Sequence, residues 1–488
     1  MTPAITLTAI AVYFLLLFLI SWASGRRKSD YYGGRQNSWL LAAIASMGAP
    51  ISGVTFISVP GMVIAKDWSY LQMSIGFIVG YFIIAYVLVP LFYKRNLVSI
   101  YGYLDERFGN ATHGTGAWFF FISKILGASV RFFVVCIVLQ SLVFGPVGIP
   151  FAFNVLICVA LICLYTIKGG VKAVIWTDVL KSVALIGSVV LSIFFIASSM
   201  GLNLPSMFSK VAQEGHTRIF FFDDPKSGIY FWKQFLSAVF IVVAMTGLDQ
   251  DLMQRNLSCR NYKESQKSLI VSSFTQTLIT AMFLILGSLL MIWYKGNLGD
   301  PAALESSDNL FSSVATANGM PMIVGVLFIV GLVAAATSAA ASALTALTTS
   351  FMVDIIPSMK IQTAEGKAND RRRQIVHCGM ALCMAIVIVV FNAINSQDAI
   401  SAVYSLASYT YGPILGLFAF GMFTKRKVVD LAVPFVCIAA PFICLGVKAW
   451  LLNAFGYVMS FELLLLNAGL TIAGLAIFSK NNNNEQNL

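Results

Sequence analysis

Thirteen apolar runs, each about the length needed to cross a hydrocarbon layer, punctuate the chain at 5–23, 39–63, 70–93, 115–143, 150–167, 173–199, 231–252, 268–294, 321–355, 375–395, 400–423, 430–452 and 458–479. No other feature narrows the fold so far. In lipid every backbone N–H and C=O must find a partner within the protein, so apolar runs of this kind become helices. The expected fold is an all-α polytopic membrane protein with 13 transmembrane helices. Composition agrees: 58% of the 488 residues are hydrophobic and only 11% are charged, whereas a soluble chain carries about a quarter charged residues.

The first run lacks a basic residue before it, and Arg26, Arg27 and Lys28 follow it. That pattern predicts a retained helix with its N-terminus outside, not a cleaved signal. Alternating the loops from there places twenty-two of the 32 Lys and Arg residues inside and seven outside. The bias predicts a cytoplasmic C-terminus. It also accounts for the net charge of +11 as a topology signal. The basic residues are scattered through short loops, which gives a nucleic-acid partner no support. The eight cysteines lack regular spacing and read as unpaired thiols. The three histidines are isolated, and no hydrolase or nucleotide-binding motif occurs, so an enzyme is not expected. Residues 1–480 read as one integral domain, with 481–488 as a short disordered tail and the longest loops, 200–230 and 296–320, outside.

Two runs carry breaks. The second, "LLAAIASMGAPISGVTFISVPGMV", places Gly48, Pro50 and Gly53 in mid-run, where proline removes a backbone donor. The seventh ends "VVAMTGLDQDLMQ", with Thr246–Gly247 followed by polar residues. An ordinary kink explains one such break. Two, five runs apart, point to an inverted-repeat transporter with its site at the midplane. The ninth run, "GLVAAATSAAASALTALTTSFMVD", is rich in small residues that let helices pack closely. It also offers the hydroxyls of Ser338, Ser342 and Thr345 on one face, a donor type suited to hard cations.

"GGVKAVIWTDVLKS", "TGLDQDLMQRNLSCRN", "SGVTFISVPG", "SALTALTTSFMVDI" and "YTYGPILGLFAFGMFTKR" together resemble the sodium:solute symporter family, over nearly the whole chain. The resemblance implies a leucine-transporter-type fold: one leading helix, two inverted five-helix repeats (39–199 and 231–423) and two trailing helices. It implies Na⁺-driven uptake of a small solute. The family's main sodium site falls on the carbonyls of Gly48 and Ile51 and on positions 338 and 339, of which only Ser338 keeps a hydroxyl. A second site, known in its sialic acid transporters, falls on Asp178, Ser338, Ala341 and Ser342. With Ala335 on the same helix, the candidate sodium ligands are Gly48, Ile51, Ala335, Ser338, Ser342 and Asp178. Relatives usually carry glutamine where this chain has Lys181. That ammonium is therefore a candidate coupling residue, able to replace a sodium ion. Its alternative is a self-neutralised pair with Asp178, Lys181 snorkelling to the interface.

Arg131 lies deep in the fourth run, where an arginine must face a cavity or a partner. It matches the arginine that takes the substrate carboxylate in the family's sialic acid transporters. A structural ion pair is the other reading. Ser52 and Thr55 match hydroxyl contacts of that site; Tyr70, Gln72 and Ser74 are weaker candidates. Asp249, Gln250 and Gln254, with Asp251 and Arg255, read as an inner gate or helix-end network. Asp354 reads as an interfacial charge, and Tyr404, Tyr409 and Tyr411 as gate or belt aromatics. The expectation is a monomeric symporter in the lipid bilayer, importing a small polar solute with Na⁺, the solute bearing a carboxylate as sialic acid does. The alternatives are a proton-coupled or uncoupled carrier of a sugar or other organic solute, and a membrane sensor with a transporter fold.

Overall fold

A computed structural model describes residues 3–25, 38–48, 51–95, 97, 99–167, 170–355, 367–394 and 399–480. The chain is helical almost throughout. The opening helices are α1 (Pro3–Gly25), α2 (Trp39–Gly48), α3 (Gly53–Lys66), α4 (Ser69–Ile83), α5 (Val89–Lys94) and α6 (Gly102–Arg107). Next come α7 (Asn110–Leu139), α8 (Phe151–Thr166), α9 (Gly170–Ser199), α10 (Leu204–Gln213), α11 (Phe231–Val242), α12 (Gln250–Leu257) and α13 (Tyr262–Asn297). The remainder are α14 (Asn309–Thr316), α15 (Met322–Ser350), α16 (Lys367–Ile394), α17 (Ala399–Phe423), α18 (Val433–Phe455) and α19 (Leu463–Ile477). A two-stranded antiparallel pair, β1 (Lys427–Val428) and β2 (Ser479–Lys480), joins the segment after α17 to the end of α19.

Among the described residues eight helices are long and apolar enough to cross a membrane. A ninth candidate is broken: Phe231–Gly247 and Gln250–Leu257 meet at 70°. Four shorter apolar helices accompany them: Ile5–Ile20, Gly53–Lys66, Phe151–Thr166 and Leu463–Ile477. The second apolar run divides in the same way, α2 ending at Gly48 and α3 starting at Gly53. Pro50 lies outside the described residues. The two long loops, 200–230 and 296–320, are not wholly irregular, since they carry α10 and α14.

Helix α15 is the centre. Every residue from Gly331 to Ser350 is buried, and α9, α7, α1, α3 and α16 pack around it. Its alanines and serines permit this: with no large side chain between them, neighbouring backbones come close. At Gly331 an added Cβ would fall 2.5 Å from the Phe56 ring. On the outside the pattern reverses, as α18 turns Phe435, Phe442 and Trp450 outward, the arrangement expected of a lipid-facing surface.

The N-terminal end of α7 is held by a carboxylate. Asp430 accepts from the N–H groups of Ala111 and Thr112 at 2.9 and 2.8 Å and from the Thr112 hydroxyl. These amides are among the orphan donors of a helix start, and their partial positive charge favours an anion. Gly109, at φ +134°, turns the chain into that cap.

Candidate functional site

The break after Gly247 determines the chemistry of the centre. Asp249 caps α12, its Oδ1 accepting from the N–H groups of Asp251 and Leu252 at 2.9 and 3.2 Å. Those backbone donors hold the carboxylate in the bundle interior. Lys124 of α7 donates to both Asp249 oxygens at 3.0 Å and lies 2.9 Å from Asp251 Oδ2. Tyr411 of α17 donates to Asp249 Oδ2 at 2.7 Å.

These groups wall a small, partly open cavity of about 30 Å³, with Ser123, Arg131 and Ser342 also in its lining. Arg131 is half-buried there. Among the described residues no carboxylate pairs with it, since Asp249 and Asp251 are engaged by Lys124 and Arg255. Arg131 is therefore the cavity's uncompensated cation. Above it Tyr70 of α4 and Tyr404 of α17 hydrogen-bond hydroxyl to hydroxyl at 2.7 Å.

A second set of charges lies behind Ser342, away from the cavity. Asp178 and Lys181 on α9 are 0% and 1% exposed. Lys181 Nζ lies 3.2 Å from Asp178 Oδ1 and 3.5 Å from the Thr337 carbonyl oxygen. Ser338 donates to the same Asp178 oxygen at 3.1 Å. Arg255 Nη2 lies 3.1 Å from Asp178 Oδ2 and 3.5 Å from Asp251 Oδ1. The two sets are thus continuous. Lys181, Asp178, Arg255, Asp251, Lys124 and Asp249 alternate in sign, three cations with three carboxylates.

Several expectations are corrected by this geometry. Lys181 does not snorkel; it is buried against α15. Ser338 and Ser342 share a helix face but not a partner, since Ser342 donates to Asp251 at 2.8 Å. Thr345 turns back to the Ala341 and Ser342 carbonyls of its own helix. Arg255, expected in an inner-gate or helix-end network, is 2% exposed in the interior. Asp249 belongs to the cavity and not to a helix-end network alone. Gln250 accepts from the N–H of Ile100 at 2.9 Å, and Gln254 is half-buried beside it on α12.

Apart from Arg131, the substrate candidates Ser52, Thr55, Tyr70, Gln72 and Ser74 do not line the cavity. Ser52 caps α3, its N–H donating to Thr55 Oγ1 at 3.4 Å. The Gln72 amide donates to the Ile229 carbonyl and to Gln234, both at 2.7 Å. Ser74 donates to the Tyr70 carbonyl. Tyr70 is engaged with the Tyr404 hydroxyl. Ile51 and Ala335 are buried at the α2–α3 break and on α15; Gly48 ends α2. Asp354 is no interfacial charge: it is 6% exposed and pairs with His113 at 3.2 Å and Ser350 at 3.0 Å. Lys124, which shares the fourth apolar run with Arg131, is a principal member of the site. A third cation deep in an apolar stretch was the signal that could have found it.

A multi-helix bundle with two helices broken at depth, ionisable groups gathered at one break and a polar cavity beside them defines a membrane transporter, not an enzyme. The chain belongs to the sodium:solute symporter family, whose profile matches residues 31–430. It is 26% identical over 442 residues to the sodium/sialic acid symporter SiaT of Proteus mirabilis, covering 86% of this chain and 85% of that one. It is 27% identical over 493 residues to the sodium/sialic acid symporter NanT of Aliivibrio fischeri, covering 98% and 92%. It is 24% identical over 434 residues to the human sodium/iodide cotransporter, covering 84% of this chain and 65% of that protein. The fold is similar to a solved Na⁺-coupled sialic acid symporter in a substrate-bound outward-open state, with a TM-score of 0.80, 21% identity and coverage of 98% and 99%. A nucleobase-cation-symport-1 family transporter in a closed conformation is a more distant likeness, with a TM-score of 0.51, 13% identity and coverage of 92% and 94%.

Proposed function

We propose that this membrane protein is a Na⁺-coupled importer of a small polar solute bearing one carboxylate, a sialic acid or a related acid sugar, and that Arg131 takes the carboxylate. The observation that carries this reading is the unpaired guanidinium in the cavity wall. A planar fork of donors suits a carboxylate, and a half-buried arginine without a counter-ion gains most from an anionic ligand. Relatives named for sialic acid and for iodide, both anions, favour the same sign. Asp249 with Lys124 and Tyr411 would face the hydroxyls of the solute, and the Tyr70–Tyr404 contact would close over it.

The coupling Na⁺ would lie at the α2–α3 break, held by the carbonyls of Gly48 and Ile51 together with Ala335 and Ser338 of α15. Thirteen crossings, the N-terminus outside, the C-terminus in the cytoplasm of an inner membrane and repeats over 39–199 and 231–423 complete the reading for a monomer.

The test is a thermal-shift screen of acid sugars, neutral sugars and amino acids with and without Na⁺, followed by counterflow in proteoliposomes. The expected outcome is stabilisation by an acid sugar, enhanced by Na⁺, and counterflow of that compound. Stabilisation by neutral sugars alone would refute the carboxylate reading. Binding without counterflow would instead favour a sensor.

A further inference from the structure

Lys181 and Asp178 do not line the cavity, so solute recognition leaves them without a role. An ammonium this dry is costly and needs a reason. Its surroundings are a set of oxygens. Asp178 Oδ1 is 3.2 Å away and the Thr337 carbonyl 3.5 Å. The Ser338 hydroxyl bonds the same carboxylate oxygen at 3.1 Å. Two tyrosines support the Thr337 side: Tyr165 donates to its carbonyl at 3.2 Å, and the Tyr13 and Thr337 hydroxyls are 3.2 Å apart. Carboxylate, carbonyl and hydroxyl oxygens meeting at one buried point form a donor set that a hard cation takes. Here that point holds an ammonium on a four-carbon stem.

Charge balance gives the argument its force. The six-residue chain from Lys181 to Asp249 is neutral as it stands. A free cation added at Asp178 would place a net positive charge in a site that water does not reach. It would also compete with Lys181 and Ser338 for one oxygen. Removing the ammonium leaves the chain one charge negative and opens space among the same oxygens.

We propose that the Lys181 ammonium is a resident, tethered cation that holds the position of a free monovalent ion, so that this chain binds no Na⁺ at Asp178, and that its removal creates a Na⁺ site there. This deepens the symporter reading without depending on it. A purely structural ion pair would cost stability on substitution but would leave ion binding unchanged.

The experiment is equilibrium binding of ²²Na⁺ to the purified full-length protein, with no solute present. Wild type should bind at most one Na⁺ per chain. Lys181→Met and, as a polar alternative, Lys181→Gln should each bind one more. The double substitution Lys181→Met, Asp178→Asn should return to the wild-type count. Zero in wild type with one in Lys181→Met upholds the tethered cation while removing Na⁺ coupling from the symporter reading. One in both wild type and variant does the reverse. Two in wild type overturns the proposal with no variant needed, which keeps it testable if the substitutions fail to fold.

Discussion

Arg255 Nη2 on α12 lies 3.1 Å from Asp178 Oδ2 on α9, and both residues are closed off from solvent. This contact joins the cavity charges to the Lys181 pair. Breaking one partner of a buried pair leaves an uncompensated charge, which typically costs about 3–5 kcal/mol. Arg255→Met should therefore lower thermal stability sharply in a melting assay. Adding Asp251→Asn restores neutrality, because Asp178 keeps Lys181 and Asp249 keeps Lys124, and should recover part of the loss. Additive losses in the double variant would show that the contacts do not act as one balanced chain.

Arg131→Lys keeps the charge but loses the fork. Binding of an acid sugar should weaken by about 1.5–3 kcal/mol, the worth of a hydrogen bond to a charged group, or roughly tenfold to a hundredfold in Kd. Protein yield should not change, since among the described residues no carboxylate pairs with Arg131. Unaltered affinity measured by calorimetry would remove Arg131 from the binding site.

The hydrogen bond between Tyr70 and Tyr404 offers a test of closure. Tyr404→Phe removes the hydroxyl and keeps the ring against Phe461. A cysteine placed at Ala407, in the cavity lining, should then react faster with an impermeant thiol reagent from outside. Equal rates in the two backgrounds would mean that the tyrosine pair does not restrict access.

Helix α13 provides the topology test. In a background lacking native cysteines, Arg260→Cys and Asn297→Cys flank its 36 residues, about 54 Å at the rise of an α-helix. An impermeant reagent should label position 297 in intact cells, and position 260 only after permeabilisation. Labelling of both in intact cells would overturn the assigned orientation.

Much of this architecture is legible in the residues. Apolar runs locate the helices, because lipid leaves the backbone no other economical form. Thr246–Gly247 with polar neighbours marks a real break, and the small residues of 331–354 mark the helix around which the others pack. Partner choice is harder to read. Ser338 and Ser342 sit one turn apart, yet one meets Asp178 and the other Asp251, because α9 and α12 each bring a carboxylate to α15. Nothing in "QDLMQRN" distinguishes a solvated loop from a short helix driven into the bundle; its charges hid Arg255 among the topology signals. Hydroxyls are ambiguous for a similar reason. Ser52 reads equally well as a solute contact or as a helix cap, and only the direction of the chain at Gly53 decides.

A charge fixed to the protein crosses no membrane for good; whatever path it moves along, it returns with the empty carrier. A potential of 100 mV does about 2.3 kcal/mol of work on each elementary charge delivered. With Lys181 in place of a released ion, a monoanion imported with one Na⁺ delivers no net charge, and the cell's voltage neither aids nor opposes accumulation. Freeing that position for a second Na⁺ would make each cycle electrogenic and raise the attainable gradient. If Lys181 holds that position, the lysine on α9 sets whether a symporter built this way draws on the electrical half of the sodium-motive force or on its concentration half alone.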